Sequence, residues 1–337
     1  MNTLVLAFIT IIFPLNSFLA FPGLFGAEKK KVDFPVEEVK GVETAKEEVK
    51  KNIPEKILPG PAYQPTKKEG VGDFFVPNAH AALILDADSG TILHYQNGKE
   101  RRQIASLTKM MTAVLVMEKV SDLEELVTID EDSMYVDGTK IGCPRSGFCN
   151  SQRLKLGERI SVRNLLKAML MNSANDAATA LGKHVGGSTD EFVGMMNQRA
   201  KEMGLSDTNF CTPSGLEIEG KEETCYSSAY DIARIASYAL KFPEIWDIFK
   251  LPTNTIIKSA DGKTEHAILN TDMILDEMPN VLGGKTGFTP LAGYSLLVAT
   301  QDKTKKHTII SVLLNDPYRW ADIKSMTDWA FSSHVWN

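Results

Sequence analysis

The chain has 337 residues, 43 % apolar and 24 % charged, a globular composition long enough for one large domain or two ordinary ones. A formal net charge of −6 argues against a nucleic-acid partner, which usually meets a basic face. Four cysteines without zinc spacing and six scattered histidines, none in a His-Glu-x-x-His, exclude a disulfide-dominated scaffold and a zinc hydrolase, and no metal or other cofactor is expected.

From Leu4 to Ala27 the chain is uncharged and mostly apolar, and Glu28-Lys29-Lys30-Lys31 follows at once. Residues 1–27 therefore read as an export signal or an N-terminal membrane anchor. No Lys or Arg precedes the apolar run and no A-x-A site follows it, so cleavage and retention both stay open. Between Glu28 and Lys51, seven acids and seven lysines leave few large apolar side chains, and Pro54, Pro59, Pro61 and Pro65 come next. Such a segment cannot bury enough surface to order itself, so residues 28–75 read as a linker, with a short helix near 36–51 as the other reading.

Residues 76–337 carry the globular pattern. Ala81–Leu85 and Thr91–Tyr95 flank the turn Asp86–Gly90 and predict a hairpin. A largely helical region from Ser106 to Leu240 includes a buried helix at Ser106–Val120 and another at Val162–Gly182. Thr255–Lys258 and Glu265–Leu269 flank Asp261-Gly262, a strong hairpin signal. Tyr294–Thr300 and His307–Leu314 form the last strand pair, and Asp322–Phe331 a terminal helix. Strands at both ends with helices between predict one antiparallel sheet, built from both ends of the domain, with a helical insertion on it.

Three short motifs carry the chemistry. The chain holds one Ser-x-x-Lys (Ser106-Leu107-Thr108-Lys109), one Ser-x-Asn (Ser173-Ala174-Asn175) and one Lys-Thr-Gly (Lys285-Thr286-Gly287). Each alone is weak, with about one chance match expected in a chain this long, but the three in this order are not. Positions i and i+3 share a helix face, so Ser106 and Lys109 point the same way. A serine hydroxyl becomes a nucleophile once a base takes its proton. Lys109 is that base if burial and a nearby cation such as Lys285 lower its pKa to about 7–8. Taken singly, Ser106 reads equally well as a helix N-cap and the Ser173 motif as a capping loop. Gly283-Gly284-Lys285-Thr286 is no phosphate loop, because Pro279 stands where a Walker motif needs glycine.

With these motifs, the chain resembles the serine D-alanyl-D-alanine carboxypeptidases, low-molecular-mass penicillin-binding proteins of peptidase family S11. The likeness runs from about Ala79 to the C-terminus. It includes Arg101–Thr112, Leu170–Ala180, Pro213-Ser214-Gly215-Leu216, Tyr230-Asp231-Ile232-Ala233 and Gly284–Thr289. It implies an α/β (α+β) fold of the β-lactamase/transpeptidase type: a five-stranded antiparallel sheet flanked by helices, with a helical subdomain and the site between the two. It makes Ser106 the acylated nucleophile, Lys109 its base and Ser173 a proton carrier. Asn175 holds the substrate amide, Lys285 adds positive charge and Thr286 helps bind the substrate carboxylate. Gly287 and Phe288 continue the binding strand, and the N–H groups of Ser106 and Phe288 form the oxyanion hole. Arg319, after the last strand, meets the substrate's terminal carboxylate; stacking on Trp320 or pairing with Asp316 is the structural alternative. The implied partners are peptidoglycan stem peptides and, as covalent inhibitors, β-lactams.

Two departures from the family pattern stand out. The chain stops at Asn337, after the terminal helix, so the second β-rich domain and C-terminal amphipathic helix of many members are not expected, and the N-terminal segment would supply membrane attachment. The other is the cysteines. An exported protein admits disulfides, and Cys143–Cys149 and Cys211–Cys225 are the expected pairs. Three rival activities remain at this stage. A class A β-lactamase needs a Glu-x-x-Leu-Asn loop, which is absent; Glu217 and Glu219 lie in the nearest region without the pattern. A D,D-endopeptidase shares every motif. A non-catalytic penicillin-binding sensor fits poorly with intact motifs.

Overall fold

A computed structural model describes residues 64–143 and 149–337. The chain enters through β1 (Pro65–Lys67), then forms the hairpin β2 (Ala81–Asp86) and β3 (Ile92–Gln96). A 3-10 turn at Ala105–Thr108 leads into α1 (Lys109–Lys119), where every residue from Lys109 to Val116 is buried. A small ribbon, β4 (Leu126–Thr128) with β5 (Arg159–Ser161), encloses α2 (Glu131–Tyr135). The helices α3 (Val162–Met171), α4 (Asn175–Gly186), α5 (Thr189–Glu202), α6 (Ala229–Ala239) and α7 (Pro243–Phe249) follow. Their starts are chemically marked. Ser161, Ser188 and Ser228 each accept a backbone N–H three residues on, and Pro243 opens α7 at a position where its missing N–H costs nothing.

A second hairpin, β6 (Thr255–Lys258) and β7 (Glu265–Ile268), turns through Gly262 at φ 71°. It stands apart from the main sheet. The strands β8 (Val281–Thr289), β9 (Gly293–Gln301) and β10 (Thr308–Leu314) complete that sheet, and α8 (Arg319–Ser333) and β11 (His334–Trp336) follow. The main sheet has five antiparallel strands in the order β3-β2-β10-β9-β8, with the first hairpin's β2 paired to β10. This is the sheet expected from the sequence.

Period-two alternation divides the central strands between two cores. Leu83 and Leu85 of β2, Leu297 of β9 and Val312 of β10 face the helical body. Ile84, Val298, Ile309 and Leu313 face α8, against Ile323, Met326 and Ala330. The sheet is thus the middle layer, with β8 at its edge next to the nucleophile's turn.

Several boundaries differ from the sequence reading. The helix expected at Ser106–Val120 begins as the 3-10 turn. The helix expected at Val162–Gly182 is two helices, broken at Asn172–Ala174, where Ser173 takes a left-handed φ of 57° and Ala174 N–H bonds back to the Ala168 carbonyl. An unbroken apolar pattern hid that break, because it continues through both helices. The linker expected at residues 28–75 ends earlier. Pro65, Thr66 and Lys67 pair with Trp336, Val335 and His334, and Phe74 stacks on Trp329 at 5.3 Å. Its polar, proline-containing composition pointed to disorder because the partner strand lies at the other end of the chain. Both expected disulfides are present, Cys143–Cys149 and Cys211–Cys225. Among the described residues no helix is long and apolar enough to cross a membrane; the apolar segment 1–27 lies outside them.

Candidate active site

Ala105 holds a left-handed φ of 48°, an uncommon state for a residue with a Cβ, and starts the turn that presents Ser106. In a three-residue turn positions i and i+3 eclipse, so Lys109 lies over Ser106. Lys109 Nζ is 2.8 Å from Ser106 Oγ, 2.8 Å from Asn175 Oδ1 and 2.7 Å from the Ser214 carbonyl oxygen. Two of these partners only accept, and the Asn175 amide cannot flip because its Nδ2 donates to the Asp137 carbonyl at 2.8 Å. A neutral Lys109 that donates to both carbonyl-type oxygens aims its lone pair at the Ser106 hydroxyl. That is the arrangement a serine needs to lose its proton.

Asn175 is set by a tight loop. Its N–H donates to the Thr139 carbonyl at 2.7 Å, and a Cβ on Gly138 would stand 2.6 Å from its Nδ2. Ser173, buried in the left-handed turn two residues before, belongs to the same rigid corner. Across the site, β8 carries Lys285, which is fully buried and donates to the Thr286 carbonyl at 3.1 Å. Thr286 Oγ1 lies 2.9 Å from Thr271 Oγ1, while Thr271 N–H donates to the Met171 carbonyl at 2.9 Å. Thr271 therefore ties the strand of Lys285 to the helix end that precedes Ser173.

Gly287 permits the close approach of β8 to the nucleophile's turn, since a Cβ there would stand 2.9 Å from the Ile104 carbonyl oxygen. That approach is what an oxyanion hole shared by Ser106 and Phe288 requires. The Phe288 ring packs on Tyr294, 4.5 Å between centroids. Arg319 opens α8, donates from Nη1 to the Gly287 carbonyl at 3.4 Å, and lies 4.9 Å from the ring centres of both Tyr294 and Trp320. It is thus anchored to the binding strand, and the stacking on Trp320 that the sequence allowed is part of the same arrangement.

Three acids around the site are displaced upward by burial. Asp176, next to Asn175, is pushed to about 6 although Ala177 and Ile141 N–H groups donate to it. Asp272 is pushed to about 6 against the pull of Ile274 N–H, Lys285 and Arg319. Asp316 is pushed to about 6 as well, with Asp322 adding to the rise and Arg319 opposing it.

The structure brings Ser106, Lys109 and Asn175 into direct contact and places Lys285, Thr286, Gly287 and Phe288 along β8, with Arg319 of α8 reaching that strand at the Gly287 carbonyl. Sequence reasoning missed the Ser214 carbonyl, the Asp137 and Thr139 carbonyls, Thr271 and Asp272. Backbone carbonyls leave no mark in a side-chain pattern. Thr271 and Asp272 follow β7 in a stretch without periodicity.

A serine–lysine pair at the foot of a buried helix, facing a second lysine on a sheet edge, places the chain in the penicillin-binding, transpeptidase-like class of folds. The chain belongs to the D-alanyl-D-alanine carboxypeptidase family, whose model matches residues 75–318. It is 32 % identical over 261 residues to the D-alanyl-D-alanine carboxypeptidase DacF of Bacillus subtilis, covering 76 % of this chain and 63 % of that one. Among solved structures, the D-alanyl-D-alanine carboxypeptidase of Mycobacterium tuberculosis matches with a TM-score of 0.69 at 26 % identity, covering 81 % of this chain and 99 % of that one. Penicillin-binding protein D2 of Listeria monocytogenes, in its ampicillin-bound form, matches with a TM-score of 0.64 at 28 % identity, covering 77 % and 100 %. The chain spans about three fifths of the length of the first curated relatives it matches.

Proposed function

We propose that this protein is a serine-type D-Ala-D-Ala carboxypeptidase that removes the terminal D-alanine from peptidoglycan stem peptides. The observation that carries the reading is the Lys109 nitrogen held 2.8 Å from Ser106 Oγ by two carbonyl-type acceptors. Lys109 takes the hydroxyl proton as Ser106 Oγ attacks the carbonyl carbon of the penultimate D-Ala. The Ser106 and Phe288 N–H groups receive the negative charge on the carbonyl oxygen. The proton passes through Ser173 and Lys285 to the leaving amine, and free D-Ala departs. Water then attacks the ester, and Ser106 regains its proton. Asn175 holds the substrate amide, while Thr286 and Arg319 meet the terminal carboxylate. A β-lactam enters the same path and stays as the acyl-enzyme. The protein is exported and works in the cell envelope, with residues 1–27 as signal or anchor and the folded unit from Pro65 onward as the catalytic domain.

The test is mass spectrometry of peptidoglycan fragments after incubation with the full chain. Loss of one terminal D-Ala from pentapeptide stems supports the proposal. Loss of cross-linked dimers with intact pentapeptides would replace it with endopeptidase activity.

A further inference from the structure

The hairpin β6–β7 stands apart from the main sheet, yet it grips the helical body through one fully buried side chain. His266 of β7 faces two acceptors: Nδ1 lies 2.6 Å from the Gln152 carbonyl oxygen and Nε2 2.6 Å from Glu158 Oε1. Against a carbonyl, Nδ1 must donate, so a neutral imidazole would turn the lone pair of Nε2 toward a carboxylate. Glu158 Oε2 already accepts Lys155 N–H at 3.0 Å. The contact therefore needs a second proton, held between His266 and Glu158. One residue after Glu158, the Arg159 carbonyl accepts Ala260 N–H at 2.7 Å and fixes the hairpin to β5. From Gln152 the grip continues to the site through direct contacts. The turn at 150–153 lies so close to Gly142, at φ 63°, that a Cβ there would stand 2.5 Å from the Arg153 nitrogen, and Asn150 N–H donates to the Gly142 carbonyl at 2.8 Å. The preceding Ile141 donates its N–H to Asp176 Oδ2 at 3.0 Å, and the Thr139 carbonyl accepts Asn175 N–H at 2.7 Å. Asn175 in turn holds Lys109.

We propose that His266 is a positioning residue for acylation: with protons on both ring nitrogens it clamps Gln152 and Glu158, and through residues 139–142 it holds Asn175 against Lys109. The inference rests on the acyl-serine reading of the site. Burial pulls the His266 pKa down, but Glu158 and the Gln152 carbonyl together outweigh it and hold the imidazole above its ordinary value. A raised value means that the clamp is complete at acidic pH and is lost as pH climbs through that value. A buried pair robbed of its proton is left with an uncompensated carboxylate, and the contact opens. The titratable groups that face His266 are Glu158 and, from α4, Asp176. Across the ladder stands the apolar Ile257, while Glu265 and Lys258 of the same hairpin are exposed and pair with each other at 2.7 Å. On α3, Arg163 is bound to Glu124 and Lys167 to Asn164.

The test is the second-order rate constant for acylation by a fluorescent penicillin, measured in the full chain from about pH 6 to about pH 10. His266→Phe keeps a ring and removes both donors. It is expected to acylate about tenfold more slowly at neutral pH, the scale of one or two buried hydrogen bonds. Glu158→Gln keeps a hydrogen bond to the ring, because its amide donates to a neutral Nε2, but it takes the titrating proton out of the clamp. The ratio of the wild-type rate to the Glu158→Gln rate is expected to fall about tenfold toward alkaline pH, as the wild type loses the same contact. Titration of the site's lysines is common to both proteins and cancels in that ratio. Thermal melting sets the range in which each variant is folded, and should one variant fail to fold, the other decides. A folded His266→Phe that acylates at the wild-type rate, or a ratio that stays constant with pH, would reduce His266 to support of the fold and overturn the proposal. A wild type that is never acylated defeats the acyl-serine reading itself, which keeps the two failures apart.

Discussion

The carbonyl oxygen of Ser214 lies 2.7 Å from Lys109 Nζ, 105 residues earlier in the chain. The neighbouring Pro213 carbonyl accepts from Thr112 Oγ1 at 2.7 Å, one turn further along α1. A loop closed at its neck by Cys211–Cys225 therefore orients the base. Gly215, at φ 82°, brings that loop onto the Ala105 carbonyl so closely that any Cβ would overlap it.

Opening that disulfide is expected to lower activity and stability by separable amounts. Closing a loop of 14 residues contributes about 3 kcal/mol. The Cys211→Ser/Cys225→Ser variant should melt at lower temperature. At a temperature where it is still folded, it should also acylate about tenfold more slowly, because one hydrogen bond to Lys109 is loosened. Acylation at the wild-type rate in the folded variant would mean that the loop holds its place without the cross-link.

Ser106→Ala should abolish covalent labelling by a fluorescent penicillin, and Lys109→Ala should come close to doing so. The double variant should be no worse than Ser106→Ala, since groups that act as a unit are not additive. An adduct of normal stoichiometry on Ser106→Ala would place the nucleophile elsewhere.

Arg319→Ala should lose about 1.5–3 kcal/mol of binding or transition-state energy, the scale of a charged hydrogen bond. The loss belongs to peptides ending in a free D-Ala carboxylate and should nearly vanish when the same peptide is amidated. Kinetics on the two substrates decide the point. Equal losses would assign Arg319 to fastening α8 and Tyr294 to β8, the contacts it makes in the structure.

Much of this fold was legible because its signals are local. The first hairpin, the Asp261-Gly262 turn and the last strand pair each show in a few consecutive residues. The helix start at Val162, after its cap Ser161, was read where it occurs, while the starts after Ser188 and Ser228 lay inside a stretch read only as largely helical. β8 was not legible as a strand from its pattern: Gly283, Gly284 and Gly287 dilute its strand character, and only the Lys-Thr-Gly motif marked it. The left-handed Ser173 lies inside an apolar pattern that continues on both sides. β1 has three residues and includes a proline, and it becomes a strand only because β11 is there to pair with. The nucleophile and base were readable by their spacing, while the carbonyl of Ser214 that aims the base was not.

Asp176 gives the stability curve a slope of known sign. Its folded pKa of about 6 lies above the ordinary aspartate value of 3.8, so between these values the native state holds more protons than the unfolded one. Stability from this group is greatest below the lower value and falls as pH rises toward the higher. Over two units the change is about 3 kcal/mol. Denaturant unfolding of wild type and Asp176→Asn between about pH 4 and pH 7 checks it. The difference between the two curves should decline across that window, and a constant difference would mean that Asp176 is ionised throughout.

The pairing of Pro65 with Trp336 has a mechanical meaning. The two ends of the described unit leave it side by side, about 4.8 Å apart across one antiparallel ladder. A pull between those ends opens that ladder like a zipper, one hydrogen bond after another, and does not shear it. Three residue pairs must part before tension reaches the five-stranded sheet, so β1 and β11 act as a fuse that yields while the catalytic strands still hold. The same adjacency lets a short bridge join the ends, with new termini cut into an exposed turn such as Asp261-Gly262. A protein rearranged in that way would keep every contact of Ser106, Lys109 and Asn175.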